Sequence, residues 1–418
     1  MGVSSRSGGG WFLSSFAGNN WPTVTSLKTG LWEQAFMNSA LLPSVILTQA
    51  VVDYGMVTED LASKQAAGYP VTIVDPWGRL LSYQLLYGYD GGVATRLSGI
   101  TSNSNFTSYE VPYPIITALG VATYQGQCYP TENATQYEFH PYEFGSWDAG
   151  VSAFTQTQYL GSHLTNGQPT LPGVCTVNYD NLGYVLGTSS NVFNAACAVI
   201  PAVNNTASLP QTLEAFVAQV HEPATRDNYA IYPNPFHGYA RSTLVSSESD
   251  LHLADGGEAN QNNPIWPFIQ PERDVGVLVV NDNSADTTDN FPNGIEVRTT
   301  YLRAQEAGLS KMPFIPDVPV FLSEGLNKRA TFFGCNETGT MLIIFLPNVA
   351  YSYPSGQPTA RLQYNKADTD GMIANGGLIG TQNGDANWPF CLACGIMSKT
   401  SGLPAGCGAC FDKYCYRR

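Results

Sequence analysis

Charge is scarce in this sequence. Asp, Glu, Lys and Arg make up 12% of it, about half the quarter usual for a soluble domain. The 19 Lys and Arg are outnumbered by 33 Asp and Glu, a formal net charge of −14. No run of Lys or Arg occurs, which excludes a nucleic-acid backbone or an anionic membrane surface as the main partner, because both require a basic footprint. Long hydrophobic runs are missing too. The apolar stretch at 341–346 stops at Pro347, far short of the ~20 residues that span a bilayer, so no transmembrane segment is expected. The closing Cys-Tyr-Arg-Arg carries no apolar tail for a lipid anchor. Histidine is sparse: His140, His163, His221, His237 and His252 are scattered without ligand-like spacing. They give no support to a Ser-His-Asp triad, with His252 the least remote partner for one.

What the sequence does have is apolar and aromatic mass. With 43% hydrophobic and 12% aromatic residues over 418 positions, it is a globular chain with a sizeable core and not a disordered one. Neither an internal repeat nor a low-complexity linker divides it, so a single domain over 1–418 is expected. Residues 59–67 read as a helix ending before Gly68-Tyr69-Pro70, and 71–74 as a short buried strand. Leu213, Phe216, Val217 and Val220 give a helix after Pro210 one apolar face. The apolar runs at 275–280 and 341–346 predict strands covered on both faces. The mixture predicts an α/β fold, a layered central sheet with helices.

The nine cysteines and four glycosylation sequons concern the compartment. Asn105-Phe-Thr, Asn133-Ala-Thr, Asn204-Asn-Thr and Asn336-Glu-Thr lie in polar, turn-rich stretches where a glycan stays in solvent. Five cysteines crowd the segment 391–415 (Cys391, Cys394, Cys407, Cys410, Cys415). Together these predict an oxidising, secretory environment. A zinc site is the competing reading of Cys391-x-x-Cys394 and Cys407-x-x-Cys410, although the gap between the pairs is short for one. An odd number of cysteines leaves one unpaired, and Cys197, in the apolar stretch 193–200, is the expected buried free thiol. Met-Gly-Val-Ser-Ser-Arg at the start has neither the apolar core nor the cleavage site of a signal peptide.

Two segments have the composition of a reaction centre. In Ser7-Gly8-Gly9-Gly10-Trp11-Phe12 a serine precedes glycines. A tight turn at a helix start exposes such a hydroxyl and presents the next backbone N–H to an oxyanion. The alternative is a flexible glycine tail. A phosphate-cradling loop is discarded, because no Gly-Lys-Ser/Thr follows. In Leu253-Ala254-Asp255-Gly256-Gly257-Glu258 a short apolar run ends in a carboxylate, and the glycines let the chain turn away while Asp255 points into a cleft. An ordinary Asp-Gly turn is the alternative.

These segments, with Asn19-Asn20-Trp21 and Asn260-Gln261-Asn262, resemble the fungal lysophospholipase (phospholipase B) family. Further segments agree in order: Gly68-Tyr69-Pro70, Trp77-Gly78-Arg79, Glu143-Phe144-Gly145-Ser146-Trp147-Asp148, Tyr159-Leu160-Gly161, Thr188-Ser189-Ser190, Asp282-Asn283-Ser284-Ala285-Asp286-Thr287, Gly325-Leu326-Asn327, Thr331-Phe332-Phe333-Gly334-Cys335 and the closing cysteines. The resemblance runs from about Ser7 to the C-terminus. It implies the catalytic fold shared with cytosolic phospholipases and related to patatin, and a carboxylic ester hydrolase with a Ser-Asp dyad. Ser7 would be the nucleophile, Asp255 its base, Gly8 an oxyanion donor, and Gly9, Gly256 and Gly257 the supporting turns. It implies a lysophospholipid or phospholipid substrate, no cofactor, no metal, and a secreted or cell-wall location for the complete protein.

The resemblance also implies parts that lie before Met1. Family members carry upstream a secretion signal and a Ser-Gly-Gly-Gly-aromatic-Arg loop that supplies oxyanion N–H groups and meets the substrate phosphate. The chain is therefore expected to be N-terminally incomplete and, as written, weakly active or inactive. Ser5, where the family has glycine, is expected to crowd the elbow, and positions 1–6 hold few apolar residues for a strand leading into it. The other reading is a catalytically inactive secreted glycoprotein that keeps the fold or lipid binding.

Overall fold

A computed structural model describes residues 1–37, 39–44, 46–193, 228–359, 361–400 and 402–417. The helix expected after Pro210, together with Cys197, Asn204 and His221, lies outside these residues. The described chain divides into two compact units, Met1–Ala259 with Leu362–Asn365, and Asn260–Arg361 with Lys366–Arg418.

The first unit is built on a seven-stranded sheet: β1 (Gly2–Ser5), β2 (Tyr113–Gly120), β3 (Gln136–Phe139), β4 (Glu143–Ser146), β5 (Ala153–Gln156), β6 (Ala230–Pro233) and β7 (Asp250–Asp255). Its path is β5-β4-β3-β2-β7-β6, antiparallel throughout, with β1 joining β2 in parallel. The centre is β2, whose residues from Pro114 to Leu119 are buried. The longer helices among the unit's described residues are α1 (Gly8–Gly18), α2 (Leu47–Ala66), α3 (Val74–Leu85) and α4 (Leu182–Ser189). Leu13 and Ala17 of α1, Trp77, Leu80 and Leu81 of α3, and Val185 and Leu186 of α4 share one core with Ile116, Phe139, Phe144 and Tyr232 of the sheet.

Glycine sets how closely α3 and α4 approach. A Cβ on Gly78 would lie 2.4 Å from the Gly183 carbonyl oxygen, and one on Gly187 would lie 2.7 Å from the Gly78 Cα. Only bare backbone fits there.

Three local expectations change. The apolar 71–74 run is a helix start and not a strand. Thr72 N–H donates to the Asp75 carboxylate at 2.9 Å and Val74 N–H to the Thr72 hydroxyl at 3.3 Å, a cap that turns the chain into α3. A run this short cannot distinguish the two by periodicity. The helix expected at 59–67 begins earlier, at Leu47. Residues 2–5 do form a strand, because pairing with β2 supplies main-chain hydrogen bonds that need no apolar side chain.

In the second unit β10 (Leu342–Pro347) pairs in parallel with β8 (Val277–Asp282) and antiparallel with β9 (Thr331–Phe333). All six residues of β10 are buried, as its unbroken apolar run predicts. β8 is an edge strand with one open face, where Val279 is 47% exposed. The longer helices of the unit are α5 (Ile295–Glu306), α6 (Lys366–Gly380), α7 (Trp388–Ile396) and α8 (Cys407–Tyr414). Cys391 and Cys394 stand three apart on α7 and Cys407 and Cys410 three apart on α8, so each pair shares a helix face. They pair across as Cys391–Cys410 and Cys394–Cys407, and Cys335–Cys415 adds a third link. The two Cys-x-x-Cys motifs are thus consumed as disulfides. Among the described residues the free cysteine is Cys175, which is exposed.

Candidate active site

Both ends of the site are set by one edge of β2. Along the other edge β3 pairs with Ile116 to Leu119. The free edge is shared: β1 covers Tyr113 to Ile116, with Ser5 opposite Ile116, and β7 covers Ala118 to Gly120, with Asp255 opposite Ala118. The C-terminal ends of β1 and β7 therefore meet around Thr117. Residues 248 positions apart in sequence (255 − 7) are brought together by register alone.

Ser7 occupies the turn between β1 and α1, with φ 51° and ψ −134°. Few non-glycine residues adopt this backbone, and it persists where the surroundings fix it. Here they do. Ser7 N–H donates to the Ser189 carbonyl at 2.9 Å, and Gly10 N–H to the carbonyls of Ser7 (2.9 Å) and Arg6 (3.1 Å). A serine at a helix start normally caps the helix with its hydroxyl. Ser7 makes no such cap, and its hydroxyl lies near enough to the Asp255 carboxylate to pull that group's pKa down. Gly8 and Gly9 are exposed in the first turn of α1, where helix amides have no intrahelical acceptor.

Asp255 is 2% exposed at the end of β7. Gly257 N–H donates to its carboxylate at 2.7 Å, and its own N–H donates to the Asn191 carbonyl at 3.0 Å. Burial pushes its pKa up to about 6, against the opposing pull of the Gly257 amide, the Ser7 hydroxyl and the Arg6 charge. The protein itself supplies this desolvation, with Asp255 buried before any substrate is bound. Gly256 is required by contact: a Cβ there would lie 2.7 Å from Arg6 Cδ.

Ser5 does not block the elbow. It is the last residue of β1, and its Cβ is 3.6 Å from where a Cβ on Gly9 would sit, ordinary contact distance. His252 stands three residues before Asp255 on β7, hence on the opposite face. Its Nδ1 pairs with the Thr123 hydroxyl at 2.6 Å and its ring stacks on Tyr229. His140 pairs with Glu138 at 2.7 Å in the interior.

Sequence reasoning missed the elbow's supports. Ser189 holds the Ser7 amide, and its own hydroxyl donates to the Thr117 carbonyl at 2.8 Å. Ser190 Oγ accepts from the indoles of Trp11 (2.8 Å) and Trp77 (3.2 Å), pinning α1 to α3 and α4. Arg6 was overlooked as well. Its signal was a lone charge in a Ser/Gly stretch, and the structure buries it to 2%.

A strained serine between a strand and a helix, near a buried carboxylate at the end of another strand of the same sheet, is an arrangement that suits a hydrolase on an α/β fold. The sequence profile described as the lysophospholipase catalytic domain matches residues 2–418. This chain belongs to that family. It is 38% identical over 435 residues to lysophospholipase 2 of Aspergillus fumigatus, covering 99% of this chain and 73% of that protein. It is 35% identical over 449 residues to lysophospholipase 1 of Saccharomyces cerevisiae, covering 99% of this chain and 66% of that one. The fold is that of human GIVD cytosolic phospholipase A2, at TM-score 0.70 and 16% identity, with 96% of this chain and 58% of the human chain aligned.

Proposed function

We propose that the protein hydrolyses fatty-acyl esters of lysophospholipids and related glycerophospholipids, with Ser7 as nucleophile and Asp255 as general base. The observation that carries this reading is a Ser7 hydroxyl that does not cap its helix and lies beside the buried Asp255 carboxylate, near enough to oppose the rise in its pKa. In the first step Ser7 Oγ bonds to the ester carbonyl carbon while its proton passes to Asp255. Collapse of the tetrahedral intermediate expels the alcohol, which takes that proton, and leaves an acyl-serine. Water then adds to the acyl-serine, giving its proton to Asp255. Release of the fatty acid returns the proton to Ser7 Oγ. An oxyanion would form beside the Gly8 amide, where a removed donor typically costs roughly 2.7–4 kcal/mol. No step requires a cofactor.

The family match running through both compact units supports reading them as one catalytic domain. The disulfides support a secretory route, and no helix among the described residues is long and apolar enough to cross a membrane. The test is fatty-acid release from lysophosphatidylcholine by the full-length protein and by its Ser7→Ala and Asp255→Asn variants. Loss of activity in both variants is expected, and near-normal turnover in either refutes the pair.

A further inference from the structure

Arg6 immediately precedes the serine, and its side chain enters the protein instead of solvent. Nη1 donates to the Gly256 carbonyl at 2.6 Å and Nη2 to Gln136 Oε1 at 2.6 Å. These partners belong to different strands: Gly256 follows β7, and Gln136 opens β3 on the far side of β2. The guanidinium therefore crosses the central strand at the point where β1 and β7 abut. The missing side chain of Gly256 makes the passage, since the Arg6 stem fills the space a Cβ would take. Burying a guanidinium is expensive unless its donors are met, and here both terminal nitrogens are met, one by a backbone carbonyl and one by a side-chain amide oxygen.

We propose that Arg6 is a positioning residue for Ser7 and Asp255, a clamp that fixes the elbow after β1 against the turn after β7 and sets the distance between hydroxyl and carboxylate. The proposal rests on the reading that Ser7 and Asp255 are the reacting pair. Planar, two-sided donation suits Arg and not Lys, whose ammonium is a point charge. Charge is the second contribution. Arg6 is the charged group that acts on Asp255, and a nearby cation favours the ionised carboxylate, the form that accepts a proton. Around the clamp, Glu138 follows Gln136 on the same face of β3 and pairs with His140 just beyond the strand. Asp148 accepts the Gln136 amide at 2.7 Å, and Glu258 follows in the turn after Gly257.

Two losses are separable. Arg6→Lys keeps the charge but not the fork. Its rate should fall at least tenfold, with the pH dependence in place. Arg6→Gln removes the charge as well, so Asp255 ionises at higher pH and the rising limb of the profile moves alkaline by roughly one unit. Gln136→Leu removes one anchor and keeps the charge, so it should behave as Arg6→Lys does. The readout is the rate of Ser7 phosphonylation by a fluorophosphonate probe from pH 4 to 9, followed by mass spectrometry, with lysophospholipid turnover in parallel. Circular dichroism and thermal melting establish that each variant folds. A folded Arg6→Gln whose profile superimposes on the wild type overturns the proposal. So does failure of all three variants to fold, which would make Arg6 a structural residue only. Probe labelling or turnover that survives in Ser7→Ala refutes the reading of the reacting pair and not the clamp alone.

Discussion

At Ser7 a side chain is carried on a backbone that suits glycine. A residue at such an angle costs of order 1–3 kcal/mol, and the helix, the Ser189 carbonyl and the sheet hold it there. The usual ranking of small residues should therefore invert. Elsewhere alanine is the more stable replacement because glycine loses more chain entropy. At position 7 we expect Ser7→Gly to be more stable than Ser7→Ala by about 1 kcal/mol, read by urea unfolding, with both inactive. Asp255 gives a second residue-scale prediction. Its pKa in the folded protein is about 6, above the ~3.9 of an unfolded aspartate. Between these values the folded state binds more protons, so stability falls as pH rises from about 4 to 6 and stays low above. Asp255→Asn, which cannot ionise, should be more stable than the wild type by about 2–3 kcal/mol at pH 8. Its advantage should vanish near pH 4, as measured by chemical denaturation at the two values. Under the proposed mechanism activity should run the opposite way, rising through about pH 6 as Asp255 ionises.

Between elements, the contact of α3 with α4 decides where the Ser189 carbonyl lies, and it rests on Gly78, Gly183 and Gly187. Alanine in a helix interior normally gains about 1 kcal/mol over glycine. Gly78→Ala should instead lose about 1–3 kcal/mol, because its Cβ would overlap the Gly183 carbonyl. Thermal melting measures the sign, and a neutral or stabilising result would mean that the helices part without cost. At this scale the sequence was only partly legible. Ser7 and Asp255 announce themselves through glycine neighbours and family pattern, and the β10 strand through its unbroken apolar run. The 71–74 stretch is too short for periodicity to decide, so the Asp75 cap went unnoticed. Arg6 with Gly256 is a contact across 250 positions, which no local pattern reports. Ser5 looked obstructive because its neighbour Gly9 could be placed beside it only in three dimensions.

For the molecule as a whole, the sequons test the proposed secretory route. Asn133 and Asn336 are exposed. Asn105 donates its side-chain amide to the Asn20 carbonyl at 2.8 Å, and its backbone N–H donates to Asn20 Oδ1 at 3.2 Å. A glycan is attached at that same side-chain nitrogen. On expression through a eukaryotic secretory system, we expect carbohydrate at Asn133 and Asn336 and little at Asn105, mapped by glycopeptide mass spectrometry. Full occupancy at Asn105 would show that the Asn20 contact forms after glycosylation or not at all.

The shared edge of β2 works as a ruler. Because β1 and β7 are both measured off against it, the span between the Ser7 hydroxyl and the Asp255 carboxylate is counted in strand residues, and the intervening chain can lengthen or shorten without altering it. The same ruler is unforgiving of slippage: sliding β1 by one notch would displace the serine by about 3.3 Å and turn it to the wrong side of the sheet.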